Sequence, residues 1–93
     1  MAKYMVMWDL PSETRNEAIK RFAAGGAEME APDGVTLVTR WHAVDGGSGF
    51  SVVETDDPKG IADWLLHWTD ILTYQVVPVI TDDELGELLQ KHS

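Results

Sequence analysis

Three polar side chains stand out in otherwise apolar surroundings: Arg40 and His42 within Val35–Ala43, and Glu54 within Phe50–Thr55. A guanidinium grips an anionic group, an imidazole titrates near neutral pH, and a carboxylate can hold either in place. If the loop between the two segments spans Val44 to Ser48, then Ala43 faces Gly49, His42 faces Phe50, Arg40 faces Val52 and Val38 faces Glu54. Strand alternation then puts His42, Phe50, Arg40, Val52, Val38 and Glu54 on one face. Arg40 and Glu54 become diagonal neighbours within reach of an ion pair, with His42 one step beyond. In that arrangement Arg40 clamps an anion, Glu54 fixes Arg40, and His42 orients or deprotonates a small polar substrate. The same residues also fit a purely structural role, in which Arg40 and Glu54 satisfy each other and His42 bonds to backbone.

Aromatic residues supply a candidate wall. Four tryptophans among 93 residues exceed what a core requires, and each offers a flat apolar surface with one donor. Trp64 and Trp68, with Phe50, could line a site for a small aromatic or apolar ligand. Trp64 and Trp68 also share a helical stripe with Ile61 and Leu65, so both equally read as helix-to-sheet packing. Trp41 has the opposite parity to His42 and is expected to point away from it, towards a subunit interface.

Other chemistries fit less well. The three histidines fall on separate elements and the chain has no cysteine, so neither a metal site nor any other cofactor is expected. The glycines of Asp45–Gly49 join two strands and do not open a helix, which removes the phosphate-cradle reading. Ser48 lacks the strand-to-helix turn of a nucleophile elbow. His67 follows Asp63 by four positions and reads as a surface pair. Asp82, Asp83 and Glu84 stand where a helix start favours negative charge. Seven basic against 16 acidic residues give a net charge of −9, which disfavours nucleic acid and anionic membranes as partners. The longest apolar run, Val76 to Ile80, is too short to cross a bilayer. Nothing near Met1 reads as a leader, and a cytoplasmic, reducing location is expected.

The elements that position these residues follow from periodicity and punctuation. Lys3–Trp8 reads as a buried strand ending at Asp9-Leu10-Pro11. Ser12 caps a helix carrying Ala18, Ile19, Phe22 and Ala23, which Gly25-Gly26 stops. Val35–Ala43 and Phe50–Thr55 form an antiparallel hairpin. Asp57 and Pro58 open a second helix that runs through Trp68. Ile71–Ile80 reads as a fourth strand, in which Pro78 argues for an edge position, a bulge or an early end. Thr81 and Glu84 have capping-box spacing before Leu85, Leu88 and Leu89, and Lys91 and His92 close this last helix. The fold class is α+β: a ferredoxin-like β-α-β-β-α-β domain over residues 1–93, with a four-stranded antiparallel sheet and a C-terminal helix. Both strand parities are apolar, whereas the first two helices cover only one face. A homodimer that buries the other face is expected.

Arg40-Trp41-His42, Asp45-Gly46, Gly49-Phe50, Glu54, Asp56-Asp57, Trp64, Trp68, Asp70 and Val77-Pro78-Val79 resemble the bacterial family known only as domain of unknown function 3303. The match runs over nearly the whole chain. The resemblance implies membership of the dimeric α/β-barrel superfamily, in which two ferredoxin-like subunits press their sheets together. That superfamily includes cofactor-free monooxygenases, isomerases, haem-binding enzymes and stress-response proteins, and fold alone does not choose among them. Two readings follow. One is a small-molecule pocket, as in a cofactor-independent monooxygenase or isomerase, with Arg40, His42 and Glu54 at its centre. The other is a non-catalytic dimeric interaction or stress-response module, in which removing Arg40 would strand Glu54 and cost about 3 kcal/mol of stability.

Overall fold

The computed structural model describes residues 1–26 and 29–92. The order is β1 (Ala2–Asp9), α1 (Arg15–Ala24), β2 (Val35–His42), β3 (Ser48–Thr55), α2 (Lys59–Leu65), β4 (Thr73–Val79) and α3 (Asp82–Lys91). The four strands form one antiparallel sheet in the order β2-β3-β1-β4, the ferredoxin-like arrangement. β4 is an edge strand, which is one of the three placements open to Pro78, and Pro78 lies opposite Tyr4.

Alternation along β3 separates the two faces. Gly49, Ser51, Val53 and Thr55 are buried beneath the helices, whereas Phe50, Val52 and Glu54 point the other way. Two rows of the covered face matter for the site. His42, Gly49, Trp8 and Tyr74 form one row across the four strands, and Arg40, Ser51, Val6 and Val76 form the next. Below them Val53 packs with Ala18, Ile61, Trp64 and Ile71 in the apolar core.

The hairpin register differs from the expected one. His42 pairs with Gly49, Trp41 with Phe50 and Arg40 with Ser51, one residue out from the alignment drawn through a Val44–Ser48 loop. The loop is tighter by one residue. Ala43 N–H donates to Ser48 O at 3.0 Å, and Gly46 N–H donates back to Ala43 O at 3.0 Å. The Asp45 carboxylate accepts from Gly47 N–H at 2.8 Å, and Gly46 adopts φ 75°, which suits glycine. A bulge between Leu37 and Thr39 absorbs a further residue. Because side chains alternate with period two, a one-residue slip turns every β3 side chain over relative to β2.

The helices also adjust. α1 starts at Arg15 and not just after Ser12; Thr14 occupies the cap position, but its hydroxyl donates to Ile71 O at 2.7 Å. α2 ends at Leu65, short of Trp68. Beyond it, i→i−3 bonds from His67 to Trp64 and from Trp68 to Leu65 tighten the winding and swing Trp68 inward. The Asp57 carboxylate accepts from Lys59 N–H at 3.0 Å, a capping contact one residue before the formal cap, Pro58. The expected capping box of α3 is present, with Thr81 and Glu84 exchanging bonds of 3.0 and 3.1 Å. α3 nevertheless buries no residue among those described. No helix is long and apolar enough to cross a membrane among the described residues.

Candidate functional site

The centre of the covered face is built from small residues. Gly49 and Ser51 stand consecutively on the central strand β3, so neither fills the space beneath the helices. The Trp8 indole occupies part of it. A Cβ placed on Gly49 would come within 2.3 Å of Trp8 Cζ2 and 2.6 Å of Trp8 Nε1, so only glycine admits the ring here. What remains is a partly open cavity of about 30 Å³, enough for the oxygens of a small polar group or a water or two.

Its floor is Val6 and Ser51, and its aromatic walls are Trp8, Phe22, Trp64 and Trp68. Arg40, Tyr74, Met29 and Leu65 complete the lining. Phe22 stacks on Trp68 at 5.0 Å, so α1 and the turn after α2 meet across the cavity. Arg21 holds that junction from outside, lying 5.5 Å over the Trp68 ring and gripping Asp70 through two bonds of 3.0 and 3.1 Å. The guanidinium keeps the Asp70 carboxyl below its ordinary pKa.

Arg40 is the charged group of the cavity wall. Its Nη1 makes a long 3.4 Å contact to Met29 O, and it has no carboxylate partner among the described residues. Two further donors share the lining. Trp8 is 6% exposed, and its buried Nε1 has no hydrogen-bond partner among the described residues. Burial pushes the Tyr74 phenol above its ordinary pKa, so it remains a neutral O–H at physiological pH.

The expected catalytic set is only partly assembled. Arg40 and His42 share the covered face, but Glu54 lies on the opposite one, where its cross-strand neighbours are Thr36 and Lys3. The tighter hairpin loop causes this separation, and an Arg40–Glu54 pair is ruled out by the thickness of the sheet. Phe50 likewise faces away from Arg40 and His42 and pairs with Trp41. His42 is exposed and outside the cavity lining, with its ring edge-on to Phe22 at 5.6 Å and Trp8 at 6.0 Å. Trp64 and Trp68 are 8% and 4% exposed, and they pack the core while lining the cavity.

Trp8, Ser51 and Tyr74 escaped the sequence reading. Trp8 and Ser51 could have been found from the strand pairing alone, because the small pair Gly49 and Ser51 opposite a tryptophan marks a gap. Asp63 and His67 line a separate, open hollow of about 400 Å³ with Glu30, Asp33 and Trp64. No group of three or more metal-ligating side chains occurs among the described residues.

On the open face Trp41 is 66% and Phe50 41% exposed. They belong to two adjacent rows free of charge, Trp41-Phe50-Met7-Gln75 and Thr39-Val52-Met5-Val77.

No curated protein and no solved structure matches the chain. The family model described as a domain of unknown function, number 3303, matches residues 2–93, and so the chain belongs to that family.

Proposed function

We propose that the protein binds a small aromatic or apolar molecule carrying an anionic group in the cavity between sheet and helices. Arg40 is the anion clamp, and Trp64 and Trp68 are the apolar wall. The observation that carries this reading is Arg40 itself: a guanidinium on the wall of an aromatic cavity with no carboxylate partner among the described residues. Arg40 is half-buried, and a guanidinium in a partly dry, aromatic setting bonds a carboxylate strongly and with direction, which a ligand supplies.

The working form in this reading is a homodimer in the manner of the dimeric α/β-barrel superfamily. Two uncharged, mostly apolar rows on the open face, ending in Gln75 and Thr39, support it, since copies carrying −9 each approach most easily through a surface without charge. A cofactor-independent monooxygenase or isomerase would use His42 at the cavity's rim as base or orienting donor. The exposure of His42 and its place outside the lining favour the second reading, a non-catalytic binding module.

The test is a titration with benzoate, benzamide and toluene, following tryptophan fluorescence in the wild type and in Arg40→Met. Benzoate is expected to bind the wild type and to lose about tenfold or more in affinity without Arg40. Absence of binding by any of the three probes overturns the pocket, and equal benzoate affinity in Arg40→Met overturns the clamp. Turnover that disappears in His42→Ala separates an enzyme from a module.

A further inference from the structure

We propose that the Trp8 indole N–H is a second ligand donor, so that the cavity selects a small aromatic acid anion whose oxygens are shared between Trp8 Nε1 and the Arg40 guanidinium. This rests on the pocket reading above and specifies what the pocket recognises.

Trp8 Nε1 is a buried donor with no acceptor among the described residues. Native folds leave few such groups unmatched, and those that persist call for a water, an ion or a ligand. The Trp8 ring is also part of the cavity lining. Of the indole atoms, Cζ2, Cε2 and Nε1 lie nearest the Cβ position of Gly49. The N–H edge of the ring therefore reaches from β1 over β3, towards the strand that carries Arg40. Trp8 stands in the row of Gly49 and His42, and Arg40 stands in the adjacent row with Ser51. Two residues along a strand span about 7 Å and two strand spacings about 10 Å, so the two backbones stand about 12 Å apart, a distance that an indole and an extended arginine can close around one planar carboxylate.

The free space agrees in size and character. About 30 Å³ accommodates the head group, and the surrounding Phe22, Trp64 and Trp68 suit an attached ring. Met29 is the unbranched, adaptable part of the wall that can yield to the ring's width. The net charge of −9 disfavours anions in general, so selection for one depends on local donors. A single charge without directional partners would hold any anion, whereas a guanidinium and a fixed indole N–H together favour a planar oxygen pair.

The experiment uses the full chain labelled with ¹⁵N, with the Trp8 indole resonance assigned through its contacts to Gly49. Benzoate is expected to move that proton downfield, while saturating toluene leaves it in place. Trp8→Phe, which keeps an aromatic ring and removes the donor, is expected to weaken benzoate about tenfold and to leave toluene unchanged. If the resonance stays put at saturating benzoate, or Trp8→Phe binds benzoate as the wild type does, the donor assignment is overturned while the pocket stands. If neither benzoate nor toluene perturbs the wild type, the pocket reading falls first and takes this inference with it. Should Trp8→Phe fail to fold, the wild-type resonance alone decides.

Discussion

On the covered face β3 presents Gly49 and Ser51, whereas one residue along, on the open face, it presents Phe50 and Val52. The covered face combines small central residues with long ones on its flanks, Trp8 on β1 and Arg40 on β2, and this mismatch in size leaves a cavity lined by donors. The open face has large apolar side chains in the middle, Phe50 and Val52 beside Met7 and Met5, and no charge in those two rows, which end in Gln75 and Thr39. A surface of the first kind holds something smaller than a side chain. A surface of the second kind is suited to another protein surface.

The sharpest way to break this contrast is to enlarge the small residue. Gly49→Val should push its new carbon atoms into the Trp8 ring, which lies 2.3 Å from the Cβ position. Neither the central strand nor the buried indole can move freely, so a loss of about 3 kcal/mol is expected, read as a fall in melting temperature. The neighbouring open-face change Phe50→Leu should cost the isolated fold much less. Comparable losses at the two positions would erase the distinction between the faces.

A charge on the open face tests what that face is for. Trp41→Lys is expected to weaken self-association by about 2 kcal/mol or more, because the lysine would have to be buried unpaired against the second copy. The particle mass in light scattering should fall from twice the 10.3 kDa chain mass towards that of a single chain. Far-ultraviolet circular dichroism should stay as it is, since Trp41 is 66% exposed in the single chain. A wild-type protein that already scatters as one chain at micromolar concentration would remove the dimer from the proposal.

The faces also mark how far the amino-acid order carries. Element sequence, edge strand and C-terminal capping box were legible because each depends on local signals: the stripe around Ile61, the missing donor of Pro78, the Thr81–Glu84 spacing. Hairpin register was not. Both parities of β2 include apolar residues, Val35, Leu37 and Trp41 on one and Val38 on the other, so hydrophobic alternation cannot pin the alignment. The outcome was decided by the Asp45–Gly47 contact and the bulge near Val38, two backbone details that leave little trace in composition. That slip separated Glu54 and Phe50 from Arg40 while leaving Arg40, His42, Trp64 and Trp68 on the covered side. The cavity itself, a property of Gly49, Ser51 and Trp8 taken together, becomes visible only when the strands are paired.

With Glu54 on the other face, the stability effect of removing Arg40 changes. The sequence reading implied a loss of about 3 kcal/mol from stranding a buried glutamate. Since no described carboxylate depends on Arg40, Arg40→Met should alter stability by less than about 1 kcal/mol. A denaturant melt checks this. A loss as large as that of Gly49→Val would mean that Arg40 serves the fold and not a ligand.

The smallest effect is expected at the edge of the covered face. Tyr74 pairs with Trp8 across the β1–β4 ladder, and burial raises its phenol above the ordinary value of 10.0. Below that value the phenol is protonated in both folded and unfolded chains, so it contributes no pH dependence. Above it the unfolded chain releases the proton while the folded chain retains it, and stability must fall as pH rises. Lysine deprotonation also raises the negative charge of an already acidic chain over the same range, so the wild-type slope alone is not diagnostic. Tyr74→Phe isolates the contribution, because the ring stays and only the ionising group goes. Melting curves between pH 9 and 11 should converge for the two proteins at the lower end and separate towards the upper, with the variant less sensitive. Parallel curves would show that the phenol ionises as freely in the fold as outside it, and the donor-lined side of the sheet would then be wetter than its packing implies.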